Sequence, residues 1–375
     1  MLALTGCSAA GSIFEALGPS ASGAIQSPSA TASASPTPVY DTAPLTGVKY
    51  LAGTNKYLRG PVVMGKIDNS FAARPQESLS QADVVYEELV EGGITRFLAI
   101  WHSKMPKQFG PLRSVRPMDP DLAWPYGGVI AYSGGQKPFV TAMRKTGLYN
   151  ASETSEVGRH TMKRVTNREA PHNLFVLATK LARKEAKFKP PKQQLQFATL
   201  PDPIAPTPQP SATASASPSA SASPSATSVT TYVAGQNSAF QGKSYKKVIA
   251  KFPETTAMWT WDKKSSKWLR TADGKKAIDA GNHQRVSADN VFIILVKIDR
   301  SFKDPRYGYV PKPLFEGKGK GMFFSKGHGI KITWSKKNPK SAAVFKDGNG
   351  RVITVAVGNA WFEMVPLQGG SYSAK

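Results

Sequence analysis

The sequence predicts an α+β fold, with a mixed α/β N-terminal domain followed by a mainly antiparallel β C-terminal domain. Three observations carry that reading. Strand-length apolar runs mix with helix-period segments in the first half; from Val248 onward the apolar runs are all short and several are divided by turn residues; and two segments rich in Ala, Ser, Thr and Pro bracket the first half.

Those two segments set the expected boundaries. Residues 8–46 and 201–231 share the nonapeptide PSATASASP, at 28–36 and 210–218. Such composition offers too little apolar surface to offset ordering entropy, so both are expected to be disordered, the first as a tether and the second as a linker or loop. The organisation expected is a truncated signal at 1–7, the tether at 8–46, a mixed α/β domain at 47–200, the linker at 201–231 and a β-rich domain at 232–375.

In the first domain PVVMGKID and GGVIAY read as strands. PFVTAMRKTG and NLFVLATKLARKEAK place apolar residues at helical spacing and end basic, as helix C-termini favour. In the second, KVIAKF, AMWTWD, NVFIILVKI, GIKITWS, AAVFK, RVITVAV and AWFEMV read as strands, with DKKSSK and KDGNG as turns. Trp259, Trp261, Trp268, Trp334 and Trp361 in these strands serve either a stacking surface or a core.

The chain carries 49 Lys and Arg against 25 Asp and Glu, a net charge of +24, which points to anionic partners. Every basic residue lies between Lys49 and Lys192 or between Lys243 and Lys375, so the charge belongs to folded sequence rather than to a basic tail. The single cysteine, Cys7, excludes an intramolecular disulfide framework and a cysteine-rich zinc site. No run of about 18 apolar residues is present.

The densest polar sequence is SLSQADVVYEELVEGGITRFLAIW. Gly92-Gly93 between two β-rich runs reads as a hairpin turn, with strands near 84–91 and 94–101. A two-residue turn pairs Leu89 with Arg96 and places Glu87, Glu91 and Arg96 on one face. Upstream, Asp68 and Asn69 fall where a strand ends, with Arg74 held before Pro75. Downstream, Arg113 and Arg116 in FGPLRSVRP form a guanidinium pair suited to phosphate or carboxylate. In NREAPHNLF a proline-fixed turn presents His172 and Asn173, the former a candidate acid or base. These ten residues make up a candidate binding groove. The AYSGG stretch lacks the first glycine of a nucleophile elbow, which argues against Ser133 as a nucleophile. The histidines show no ligand spacing, so neither a metal nor a cofactor is expected.

The series IDN, ARPQ, LSQADVVYE, VEGGITRF, GPLRSVRP and PHNL, followed by GMFFSKGHGIKITWSKK and FKDGNGRVITVAVGNAWFEMVP, resembles the YerB-like bacterial lipoprotein family, a two-domain envelope family of unknown function. The resemblance implies a lipid anchor on the outer face of a bacterial plasma membrane. LTGC at the N-terminus fits a lipobox with Cys7 as the lipidation site, although Met1–Gly6 is too short for a signal core, so a trimmed or late start is expected. The function expected is that of a lipid-anchored envelope binding or scaffold protein. Its partners would be the plasma membrane through the anchor, with anionic wall polymer, peptidoglycan or envelope proteins as ligands. An enzyme acting on wall polymer through a His/Asp/Glu/Arg pocket is the alternative. Nucleic acid is disfavoured, because no recognised nucleic-acid motif accompanies the charge.

Overall fold

A computed structural model describes residues 38–199, 242–305 and 308–375. Cys7, residues 8–37 of the tether and the 201–231 segment lie outside the described residues. The principal strands are β1 (Val63–Asp68), β2 (Val84–Leu89), β3 (Thr95–Trp101), β4 (Val129–Tyr132), β5 (Tyr149–Ser152), β6 (Lys247–Lys251), β7 (Thr256–Asp262), β8 (Lys267–Ala272), β9 (Asn290–Asp299), β10 (Gly317–Ser325), β11 (His328–Lys336), β12 (Val344–Lys346), β13 (Ala360–Pro366) and β14 (Ser371–Ala374). Four short helices accompany them among the described residues, α1 (Asp119–Ala123), α2 (Lys137–Arg144), α3 (Glu156–Thr161) and α4 (Ala178–Lys184). The fold is α+β in the coarse sense, with strands dominating both halves.

One twelve-stranded sheet forms the body, its main path running β11-β10-β9-β13-β2-β3-β1-β4-β5. A smaller sheet, β8-β7-β6-β14 with two short additions, covers one face. Between the sheets lie Val85, Leu89, Phe97, Trp101, Trp259, Trp268 and Trp361. The opposite face packs Met64, Tyr86, Leu98, Ile130 and Phe362 under Met118, Leu122, Phe139 and Met143 of the helical segments. β1, β2, β3 and β13 are buried on both faces at every position, so they lack the apolar/polar alternation of a strand with one solvated face, and the charged residues they carry are buried as well.

The two blocks share one sheet: β13, near the C-terminus, lies between β9 and β2 and is parallel to both, pairing Val85 with Trp361 and Ile293 with Glu363. Two expectations are corrected. The tether does not extend to residue 46, because Tyr40–Thr42 pairs with Lys49–Leu51 and Ala43 and Leu45 are buried. Within 173–187, Leu174–Val176 is a strand paired with Met162–Arg164, and only Ala178–Lys184 is helical. The tryptophans are mostly core, with Trp259, Trp268 and Trp361 fully buried and Trp334 nearly so.

Candidate functional site

The hairpin β2–β3 forms, but with a register one residue away from the expected one. Val90 N–H donates to Ile94 C=O at 2.9 Å, closing a three-residue loop, Glu91-Gly92-Gly93, in which both glycines adopt left-handed φ values of 70° and 73°. Leu89 therefore faces Thr95, and Arg96 faces Glu88. A one-residue slip exchanges the two faces, so the expected trio is split. Glu87 points toward the smaller sheet, while Arg96 belongs to the helix-covered face and meets Glu91 only where the strand has ended.

On the helix-covered face, Asp68, Arg96 and Glu88 form a row across β1, β3 and β2. Lys66, two residues before Asp68 on the same face, is wholly buried and donates to Glu88 and to Asp119 Oδ1, the latter at 2.7 Å. Burial pushes the Lys66 ammonium down to about 8 even though Asp119 opposes the shift.

The carboxyl end of β1 is where the site opens. Beyond Gly65 the place of β4 beside β1 is taken by the Pro111–Arg113 segment, with Arg113 N–H donating to Lys66 C=O at 2.8 Å and Asp68 N–H to Pro111 C=O at 3.0 Å. That segment continues past the end of β4, where Ser133 N–H donates to Arg113 C=O at 3.0 Å. The carboxyl ends of parallel strands are a recurrent location for ligands in open sheets.

Here Asp68, 1 % exposed, accepts from Arg113 Nε and His172 Nδ1, each at 2.7 Å to Oδ2, and from Ser70 N–H at 2.9 Å to Oδ1. Burial alone would raise its pKa, but the Ser70 amide, the Arg113 charge and the His172 bond hold it below the ordinary aspartate value. An ionised carboxylate only accepts, so His172 carries its proton on Nδ1.

Arg113, Arg116 and Arg96 converge around Ser114. Arg96 donates to Ser114 C=O at 2.7 Å and Arg116 to Val115 C=O at 3.0 Å, while Arg116 Nε is paired with Glu91 at 2.6 Å. Arg113 has Asp68 and Arg116 has Glu91, but among the described residues Arg96 forms no ion pair and its buried Nε has no partner. Burial, followed by the charge of Arg116, pushes Arg96 down to about 9.

Three of the ten expected residues, Asp68, Arg113 and His172, make direct contact; Arg96, Arg116 and Glu91 stand beside them. Asn69 and Glu87 form a second, buried network. Asn69 Nδ2 donates to Glu87 Oε1 at 3.0 Å and to Thr95 Oγ1 at 2.7 Å. Arg74 Nε donates to Asn69 Oδ1 at 3.1 Å and its NH1 reaches Asp273 at 2.6 Å. Asn173 is apart from both groups, bonded to Arg164 at 2.7 Å.

The residues not foreseen are Lys66, Ser70, Asp119 and Arg270. Arg270 on β8 crosses from the smaller sheet to pair with Glu87 and lies 5.1 Å from the Phe97 ring centroid and 5.3 Å from that of Trp361. Nothing local marks it, since its partner is 183 residues away in sequence.

A mixed sheet that brings Asp68, His172 and three arginines together at the ends of two parallel strands makes this an α+β scaffold carrying a charged cluster. The sequence gives its family. Residues 45–190 match the N-terminal domain, and residues 248–362 the C-terminal domain, of a protein of unknown function (DUF3048). The chain belongs to that family, which includes the YerB-like lipoproteins. It is 26 % identical over 328 residues to "Putative lipoprotein YerB" of Bacillus subtilis, covering 86 % of each chain. The crystal structure of the YerB protein from Bacillus subtilis superposes with a TM-score of 0.67 at 23 % identity, covering 88 % of this chain and 99 % of that one, and so shares the fold.

Proposed function

We propose that the chain is a lipid-anchored binding protein of the bacterial cell envelope, held at Cys7 on the outer face of the plasma membrane, whose arginine cluster at the end of β1 takes an anionic group. The observation that carries the ligand class is Arg96: a buried guanidinium without a carboxylate partner, beside Arg113 and Arg116, is a charge left for a ligand to complete. The relative's printed name supports the anchor. Among the described residues no helix is long and apolar enough to cross a membrane. Anionic wall polymer and acidic peptidoglycan stem peptides present suitable groups.

The test is calorimetric titration of the full chain with purified wall polymer and with soluble peptidoglycan fragments at physiological salt. Arg113→Gln or Arg96→Gln should weaken binding about 10–100-fold, the worth of a charge-assisted bond. Unchanged affinity in both variants would remove the arginine cluster from the site.

The contact between Asp68 and His172 favours a second reading, an enzyme acting on wall polymer. With Nδ1–H given to Asp68, Nε2 of the 19 % exposed His172 side chain is left to exchange a proton with a substrate. His172→Gln would then abolish release of reducing ends or peptides from purified wall while leaving binding intact; wild-type protein that releases neither excludes this reading.

A further inference from the structure

The register of β10, β11 and β12 assembles a basic plane at the other end of the sheet from the Asp68 cluster. Lys320 pairs with Thr333 and Thr333 with Lys346; Lys318 pairs with Ser335 and Ser335 with Val344; Met322 pairs with Lys331. Side chains on directly paired residues share a face. Lys318, Lys320, Lys331 and Lys346 therefore stand on one side of the sheet, and all four are exposed. By strand spacing their backbones lie within roughly 15 Å of one another. The other side is packed: Trp334 and Phe345 are buried, and a Cβ on Gly319 would fall 2.4 Å from the Trp334 ring.

Among the described residues none of these four lysines forms an ion pair. Two carboxylates lie near the plane in sequence, and neither is paired with it. Asp347 is buried and bonded to Arg351 at 2.9 Å, and the exposed Glu316, which precedes β10, forms no ion pair with these lysines among the described residues. Protection of a sheet edge, the ordinary use of strand lysines, can apply here, since β9 pairs β10 only from Gly321 to Ser325 and β12 pairs β11 only from Thr333 to Ser335, but it calls for single lysines rather than four gathered on one face of three strands.

We infer that this plane docks onto an anionic lipid bilayer. The remaining residues on it are Thr333, Ser335, Val344 and, at its inner end, the buried Met322, none of them an aromatic ring that could stack on sugars or bases. It is a sheet face rather than a groove that would track a single polymer strand, and its charge complements a surface of negative headgroups. The physiological setting rests on the membrane-anchored reading above, but the test does not.

The full chain carrying Cys7→Ser, so that no acyl group contributes, is sedimented with vesicles of phosphatidylcholine alone or with about 30 % phosphatidylglycerol, in about 0.1 M salt. Binding is expected only to the anionic vesicles. Each lysine facing such a surface is worth about fivefold in partitioning, so converting all four to Gln should lower it by a hundredfold or more. An equal-charge control, with exposed Lys145, Lys163, Lys184 and Lys189 changed to Gln, should retain most of the binding, and the four-Arg version of the plane should retain all of it. Equal loss in both Gln variants would reduce the effect to net charge and overturn the proposal. So would binding of wild type to soluble poly(glycerol phosphate) but not to vesicles.

Discussion

Glu87 and Glu363 face each other on adjacent parallel strands, both wholly buried, with Arg270 between them and Trp259 Nε1–H donating to Glu363 Oε1 at 2.8 Å. Like charges directly opposite in a sheet are destabilising, and a single guanidinium neutralises only one. Burial, reinforced by the charge of Glu87 and opposed by Arg270, raises the Glu363 pKa well above the ordinary glutamate value. An unfolded glutamate ionises near pH ~4.3. Above that pH the folded state binds one proton more than the unfolded state, so this group removes stability as pH rises, by up to about 1.4 kcal/mol per pH unit until the folded pKa is passed. Glu363→Gln keeps the Trp259 acceptor and discards the titration. Urea unfolding at pH 5 and pH 9 should show the variant gaining on wild type as pH rises; a constant difference would mean that Glu363 is ionised in the folded protein. Arg270→Met should cost about 3–5 kcal/mol by leaving Glu87 buried without its counter-charge. The sequence showed Glu87 but not its partner, since nothing near Arg270 distinguishes it from the other basic residues of a basic chain. Asp68, Arg113 and His172 were legible because each sits at a strand end or in a proline-fixed turn, where side-chain direction is constrained locally.

At the scale of elements, short-range pattern was sufficient for most strands and insufficient for register. The loop Glu91-Gly92-Gly93 shows why: glycine pairs signal a turn, but whether the loop has two or three residues depends on the Val90–Ile94 closing bond, and that choice decides which face Arg96 joins. Gly92 has φ +70° and open space where a Cβ would stand, whereas at Gly93, φ +73°, a Cβ would fall 2.7 Å from Glu254 Cγ. Gly92→Ala should therefore cost only the left-handed backbone term, about 1–2 kcal/mol, and Gly92→Asn less, because Asn tolerates that region. Gly93→Ala should cost more than Gly92→Ala by urea unfolding, since Glu254, whose N–H donates to Gly93 C=O at 2.9 Å, must also move. Equal losses would show that the Glu254 contact is easily relieved. The leucine and alanine spacing of 173–187 misled in the other direction, because a three-residue apolar run, Leu174–Val176, fits a strand as well as a helix.

For the whole molecule, the low-complexity segment between the two blocks suggested a domain boundary, yet the sheet crosses from one block to the other. Composition reports where chain cannot pack, not which packed parts touch. β13, drawn from the second block, fills the position between β9 and β2. Its Trp361 contacts Phe97 of the first block and Trp259 of the second, with ring centroids 5.5 Å and 5.1 Å apart. Separating the blocks would strip β2 of its parallel partner, expose the apolar face that Trp361 and Trp259 cover, and leave Glu87 buried without Arg270. Neither block keeps a closed core under those losses, so unfolding should be cooperative across the whole described chain. The prediction can be checked with probes in each half: fluorescence with Trp101 as the reporter of the first block, against far-ultraviolet circular dichroism dominated by strands of both. The two urea transitions should coincide, and cleavage engineered at residue 215 should leave the fragments associated under native conditions. Two separated transitions, or fragments that part on gel filtration and retain their dichroism, would restore the two-domain reading and make the shared sheet a docking of independent folds.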